Sequence, residues 1–273
     1  MSWDTINCIF GHSFTFNNHC KTKLLEILSF QSVIILFFVG IIAGFLNVTA
    51  GGGSTLTLPT LIFLGLESSV ANGTNRIAIL VQNISAVYSF KREKYQDLKA
   101  SLILSLFTLP GAIAGALLAV KIDDEIFQKI LGIIMIGIIL SMFIPQKQVN
   151  STDKNRISIA TVVSMFGIGF YGGFIQVGVG FIIMAALKYL MKLNLVLVNM
   201  HKVFIVLIYT IPALIVFIVT DNVNWFLGLS LAAGNAIGGW WGAKMSVKKG
   251  EGFIKGVLVI AILIMALKLL NVF

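Results

Sequence analysis

The sequence predicts an all-α polytopic membrane protein of two inverted repeats, each a glycine-broken helix hairpin plus three transmembrane helices, for about 8–10 membrane segments. Three observations lead there. Hydrophobic residues make up 58% of the 273 residues and charged ones 11%, with a mean hydropathy of +0.96. Soluble domains average about 45–50% apolar and about 25% charged. Apolar runs then follow one another with only short loops between them, and crossing a hydrocarbon core of about 30 Å takes roughly 20 helical residues. Finally, glycine-rich polar stretches interrupt the pattern twice, GGGST at 51–55 and YGGFIQVGVGF at 171–181. Glycine resists helix by roughly 1 kcal/mol, and the backbone groups that a break frees at membrane depth are tolerated only around a polar cavity.

Taken in order, residues 1–23 read as a polar N-terminal tail. Its Cys8, His12, His19 and Cys20 match no common zinc spacing, and a mobile terminus is the simpler reading. The tail also lacks the basic start, short apolar core and small-residue site of a cleavable signal. Two cysteines support neither a disulfide framework nor a multi-cysteine metal site, so no cofactor is expected. The first repeat, 24–145, contains apolar runs at about 24–48, 54–66, 74–90, 98–120 and 126–145. A polar linker at 146–156 follows. The second repeat, 157–273, has runs at about 157–175, 178–191, 195–219, 224–243 and 252–272. In each half the second run is too short to span comfortably.

Loop charge sets the orientation. Lys91, Arg92, Lys94 and Lys99 mark one loop, Lys147, Lys154 and Arg156 the linker, and Lys244, Lys248 and Lys249 another, all expected on the cytoplasmic side. The loops at 67–73 and 220–223 carry no cation and the one at 121–125 only Lys121, so these belong outside. Threading the runs through those faces requires the first two of each half to enter and leave on one side, and the halves to have opposite orientations. This topology also accounts for the net charge of +9: the cations sit in short loops without interleaved aromatics, which argues against nucleic acid. The fourth runs carry matching small-residue stripes, Gly111, Gly115 and Ala119 against Gly234, Gly238 and Gly242, read as close helix packing in preference to substrate contact. Pro110 and Pro212 are candidate hinges.

Ionisable residues within apolar runs are the sharpest functional signal, since each is costly at the bilayer centre. Arg76 opens the third run of the first half, and His201 with Lys202 lies near the start of the third run of the second. The competing reading is that both cations snorkel to opposite membrane faces as topology anchors. Acidic residues fall in loops or at their borders, which leaves a cation pump nothing obvious to use. What remains is rich in donors: the backbone amides of Gly51, Gly52 and Gly53, of Gly178 and Gly180; the hydroxyls of Ser54, Thr55 and Thr74; the amides of Asn47, Asn75 and Gln176; and the cations Arg76 and Lys202. That inventory suits an oxyanion, with helix N-termini after each break adding positive dipole ends. No Walker pattern, HExxH motif or pair of membrane aspartates supports a nucleotide site or a hydrolase.

The stretch GF at 44–45, AGGGS at 50–54, LP at 58–59, Gly65 and ANGTN at 71–75 resembles the TauE/SafE sulfite exporter family. Gly173, Phe174, Gly178 and Gly180 resemble its weaker second repeat, which here lacks the proline and the GTN triplet and has NMHK at 199–202. The resemblance spans most of residues 30–272. It implies a secondary carrier, not an enzyme, for a small sulfur-containing oxyanion such as sulfite or an organosulfonate, leaving the cytoplasm; alternating access is the expectation from the two inverted repeats. A passive anion channel is the alternative, ahead of a membrane enzyme or a scaffold. The partners expected are the anion and the lipid bilayer of, by default, a plasma membrane; proton coupling, most simply through His201, and a homodimer are left open.

Overall fold

The computed structural model describes residues 18–95, 97–142 and 158–269, and every regular element among them is a helix. In chain order these are α1 (Asn18–Thr49), α2 (Ser54–Phe63), α3 (Ser68–Arg92), α4 (Leu98–Ala119), α5 (Asp124–Met142), α6 (Ile159–Phe174), α7 (Val179–Leu190), α8 (Leu195–Val219) and α9 (Trp225–Leu269). By length and apolarity alone, three of them contain a membrane span: Phe30–Thr49, Lys99–Ala119 and Leu195–Val219. Helices α2, α6 and α7 are apolar but short, with 10, 16 and 12 residues. Cys8, His12 and the linker cations lie outside the described residues, whereas the backbone at His19 and Cys20 is already helical.

Local chemistry explains four of the helix starts. Asp97, Ser158, Asn194 and Asn224 each accept a hydrogen bond from a backbone amide three residues on, the N-cap arrangement that begins α4, α6, α8 and α9. Helices α2, α3 and α7 start without a side-chain cap, and α3 is tied in otherwise. Glu67 makes no side-chain cap, and Asp124, at the head of α5, accepts from the Ser68 amide instead at 2.5 Å.

Several boundaries depart from the sequence reading, α1 starting at Asn18 instead of 24 and Lys91 and Arg92 closing α3 instead of lying in the loop after it. Helix α3 begins at Ser68, so ANGTN lies inside it and Arg76 sits in its third turn, not at its opening. Those polar residues look like a loop but are buried and bonded to distant elements: Asn72 donates to the Phe174 carbonyl, Thr74 accepts from the Asn224 amide, and Thr57 donates to Asn75. Lys244, Lys248 and Lys249 likewise sit within α9 and not in a loop. Lysine is a good helix former, and here a helix continues to Gly250, whose φ of 70° and ψ of −161° kink it.

Packing follows a reciprocal plan. Helix α4 lies against α6 and α8, while α9 lies against α1 and α3, and α3 meets α8. The glycine stripes make two close crossings. Gly111 and Gly115 rest on the backbone of Phe166 and Phe170, and Gly169 and Gly173 on Thr108 and Ala112. In the other crossing Gly234 and Gly238 rest on Phe37, Ile41 and Phe45, and Gly40 and Gly44 on Leu231 and Asn235. Residue numbers rise together along both pairs, so α4 runs parallel to α6 and α9 to α1. Backbones this close leave no room for a substrate, and the stripes are packing surfaces.

Candidate functional site

The two breaks meet at the centre. Helix α1 stops where Gly51 takes a φ of 90° and its amide donates to the carbonyls of Leu46 and Asn47, a left-handed end that glycine adopts without penalty. Helix α6 ends in the extended Ile175, and a second left-handed glycine, Gly178 at φ 73°, starts α7. The breaks cross at Gly51 and Gly180. A methyl group on Gly51 would lie 2.5 Å from the Gly180 carbonyl carbon, and one on Gly180 would press on Gly51.

Each broken end is closed by a cation from elsewhere in the chain. The last three residues of α1 turn their carbonyls to side chains of α8: Lys202 donates to those of Asn47 (3.0 Å), which also accepts from the Gly51 amide, and Val48 (2.8 Å), and Asn199 to that of Thr49 (3.1 Å). The last three of α6 are treated alike. Arg76 donates to the carbonyls of Gly172 (3.1 Å) and Gly173 (2.5 Å), and Asn72 to that of Phe174 (2.8 Å). In both cases the amide side chain also accepts from its cation, Asn199 from Lys202 at 2.9 Å and Asn72 from Arg76 at 3.4 Å. Arg76 and Lys202 are 0% and 2% exposed, so neither snorkels. A helix C-terminus carries roughly half a negative charge, and a cation there is favourable by about 0.3–2 kcal/mol. The guanidinium lies 4.7 Å from the Phe217 ring centre, which covers it.

Between the breaks, Asn47, Ser54, Asn83, Gln176, Gly180 and Lys202, with Val179 and Val206, line a cavity. About 10 Å³ of it is open to the centre of a water molecule, the room of roughly one water. None of the lining residues is acidic. Asn47 donates to Gln82 at 3.3 Å, and Gln176 to Thr210 at 3.2 Å. The first turns of α2 and α7 begin at this cavity, through Ser54 and Val179, and bring to it the positive ends of two helices.

The structure thus gathers Asn47, Gly51, Ser54, Gln176, Gly180 and Lys202 at or beside one centre. Gly52, Gly53 and Gly178 form the turns around it, and Thr55 bonds back to the Gly52 carbonyl at 2.6 Å. Four other residues face elsewhere. Thr74 holds the start of α9, Asn75 is bonded by α2, and Arg76 reaches the end of α6. His201 shares a 2.8 Å hydrogen bond between its Nδ1 and Ser101 on α4, turned from the cavity that its neighbour Lys202 lines. Sequence reasoning missed Asn72, Asn83 and Asn199. The signal for Asn83 was available in ILVQNIS, where two amides interrupt an apolar run.

A family model described as "Sulfite exporter TauE/SafE" matches residues 36–269. Similar chains include a "Probable membrane transporter protein" of Haemophilus influenzae, 31% identical over 238 residues that cover 86% of this chain and 93% of the relative. Another, the "Probable membrane transporter protein YfcA" of Escherichia coli, is 30% identical over 86% of this chain and 88% of its own. A third, "Probable membrane transporter protein ORF9" of Sinorhizobium sp, is 29% identical, with 90% and 95% covered. No solved structure matches the chain. The relatives carry the names of transporters rather than enzymes, and the chain, an integral membrane protein, belongs to the TauE/SafE sulfite exporter family of membrane transporters.

Proposed function

We propose that this transporter exports a small sulfur-containing oxyanion, such as sulfite or an organosulfonate, by alternating access around the crossing of its two broken hairpins. The observation that carries the reading is the central cavity, lined by amides, a hydroxyl, a lysine and two helix N-termini without a carboxylate. That chemistry favours a negative ligand with several acceptor oxygens. Lys202 supplies charge beside the anion, and Arg76 acts from behind by holding the end of α6. Support for two inverted repeats comes from the reciprocal packing, in which the fourth helix of each half runs parallel to the first helix of the other. Room for about one water at the centre favours a carrier that must rearrange over a continuously open channel. Coupling to protons, in this reading, runs through the contact of His201 with Ser101, which joins α8 to α4.

Purified protein in liposomes loaded with sulfite or taurine tests the proposal. Labelled substrate added outside should accumulate transiently by counterflow, and Gln176→Leu should abolish it while leaving the protein folded. Conductive, non-saturating flux without counterflow would instead establish a channel. His201→Gln should remove the response of transport to an imposed pH gradient, and an unchanged response would place the coupling elsewhere.

A further inference from the structure

A second cavity lies against the same two helices as the central one. It is lined by Val87, Phe90, Lys91 and Tyr95 from α3 and the loop after it, and by Met200 and Val203 of α8, and about 30 Å³ of it is open to the centre of a water molecule. The two cavities are neighbours along one seam: on α3, Asn83 belongs to the central cavity and Val87, one turn on, to the second, while on α8 the linings interleave, Lys202 and Val206 facing the first and Met200, Val203 and Phe204 the second. The seam ends at the exposed Lys91 and Tyr95, beside Arg92 and Lys94. Phe90 and Val203, each 1% exposed, stand between that mouth and the centre. In the other direction along α8 the seam is packed shut by Tyr209, Ala213 and Phe217, all 0% exposed, with Arg76 over the Phe217 ring. The arrangement is therefore closer to opening on the side of the 91–99 loop than on the other.

We infer that the α3–α8 seam is the route by which the oxyanion reaches the central cavity from the face bearing the 91–99 loop, with Phe90 and Val203 as its gate and Lys91 drawing the anion to its mouth. The inference rests on the transport reading above and adds to it a path, a gate and a charged mouth. A row of apolar side chains one turn deep excludes an ion with its hydration shell until α3 and α8 part, and a cation at the rim raises the local anion concentration.

The test uses single cysteines in the full-length chain with Cys8→Ser and Cys20→Ser, in sealed vesicles of known orientation. Val203→Cys is exposed to a membrane-impermeant sulfonate-bearing thiol reagent and, in parallel, to a neutral one of similar size, with Val87→Cys as a second reporter. Modification at both positions is expected from the 91–99 face, with the anionic reagent about tenfold faster than the neutral one, the low end of what a cationic mouth gives. Lys91→Ala should remove that preference and leave the neutral rate unchanged. Failure of either position to react while Lys91→Cys reacts readily, reaction from the opposite face alone, or equal rates for the two reagents would overturn the route or its charged mouth. Methanesulfonate is added in a separate arm. If it does not slow labelling of a Val203→Cys protein that reacts as expected, the oxyanion reading fails and the route stands.

Discussion

Arg76 carries its charge at the end of a helix to which it does not belong, and Lys202 does the same in mirror image. The sequence marked both as costly cations after a hairpin, but their partners are carbonyls 96 and 155 residues away, and no local pattern encodes such a pairing. Its polar signal at ANGTN was real, yet the expected loop is a buried helix whose hydroxyls and amides find tertiary partners. Replacing Arg76 with Met should leave the Gly172 and Gly173 carbonyls buried and unbonded, at about 1–3 kcal/mol each. The expected result is a marked loss of thermal stability in detergent, partly restored by Arg76→Lys, and an unchanged melting temperature would rule out the capping role. Asp124 gives a milder, pH-dependent case. Hydrogen bonding from Ser68 holds its carboxyl below the ordinary carboxylate range. Depression of a folded-state pKa means stability that is present above the ordinary value and lost as pH falls through the lowered one. Wild type should therefore lose melting temperature on acidification where Asp124→Asn does not, by a small amount because the group is exposed.

Helix pairs show what spacing can and cannot reveal. A stripe of small residues every four positions is legible in Gly111 and Gly115 or Gly234 and Gly238, because only the residues of one helix are needed to see it. The partner is not, and here it lies in the opposite half each time. A side chain at Gly115 would drive into the Phe170 carbonyl, whereas Gly132 on α5 has no atom near enough to touch. Gly115→Val should thus cost about 1–3 kcal/mol, as overpacking usually does, while Gly132→Ala should be neutral or stabilising by up to about 1 kcal/mol. Thermal shift measurements on both variants in one detergent check the contrast, and equal effects would mean that the α4–α6 crossing is looser than its backbone contacts indicate. The kinked α9 was legible only in part. Gly250 ends the regular turn, but the three lysines before it read as a loop because charge was taken for a break.

Across the whole molecule, membrane character and the pairing of two glycine breaks could be read from composition and interruption alone, since both are bulk properties of the chain. The crossing of the breaks at Gly51 and Gly180 could not, because it depends on how distant segments pack. Gly180→Ala should lower counterflow by about tenfold or more, the equivalent of 1.4 kcal/mol or more in a barrier, with the protein still inserted and monodisperse. Full activity would show that the crossing can widen at no cost. The reciprocal caps also order events in time. As the chain leaves the ribosome, the end of α1 is made early, yet its caps, Asn199 and Lys202, are 150 to 155 residues downstream of the carbonyls that they close. The first break is finished last, and a nascent chain halted in the linker holds an open helix end that only the second half can close.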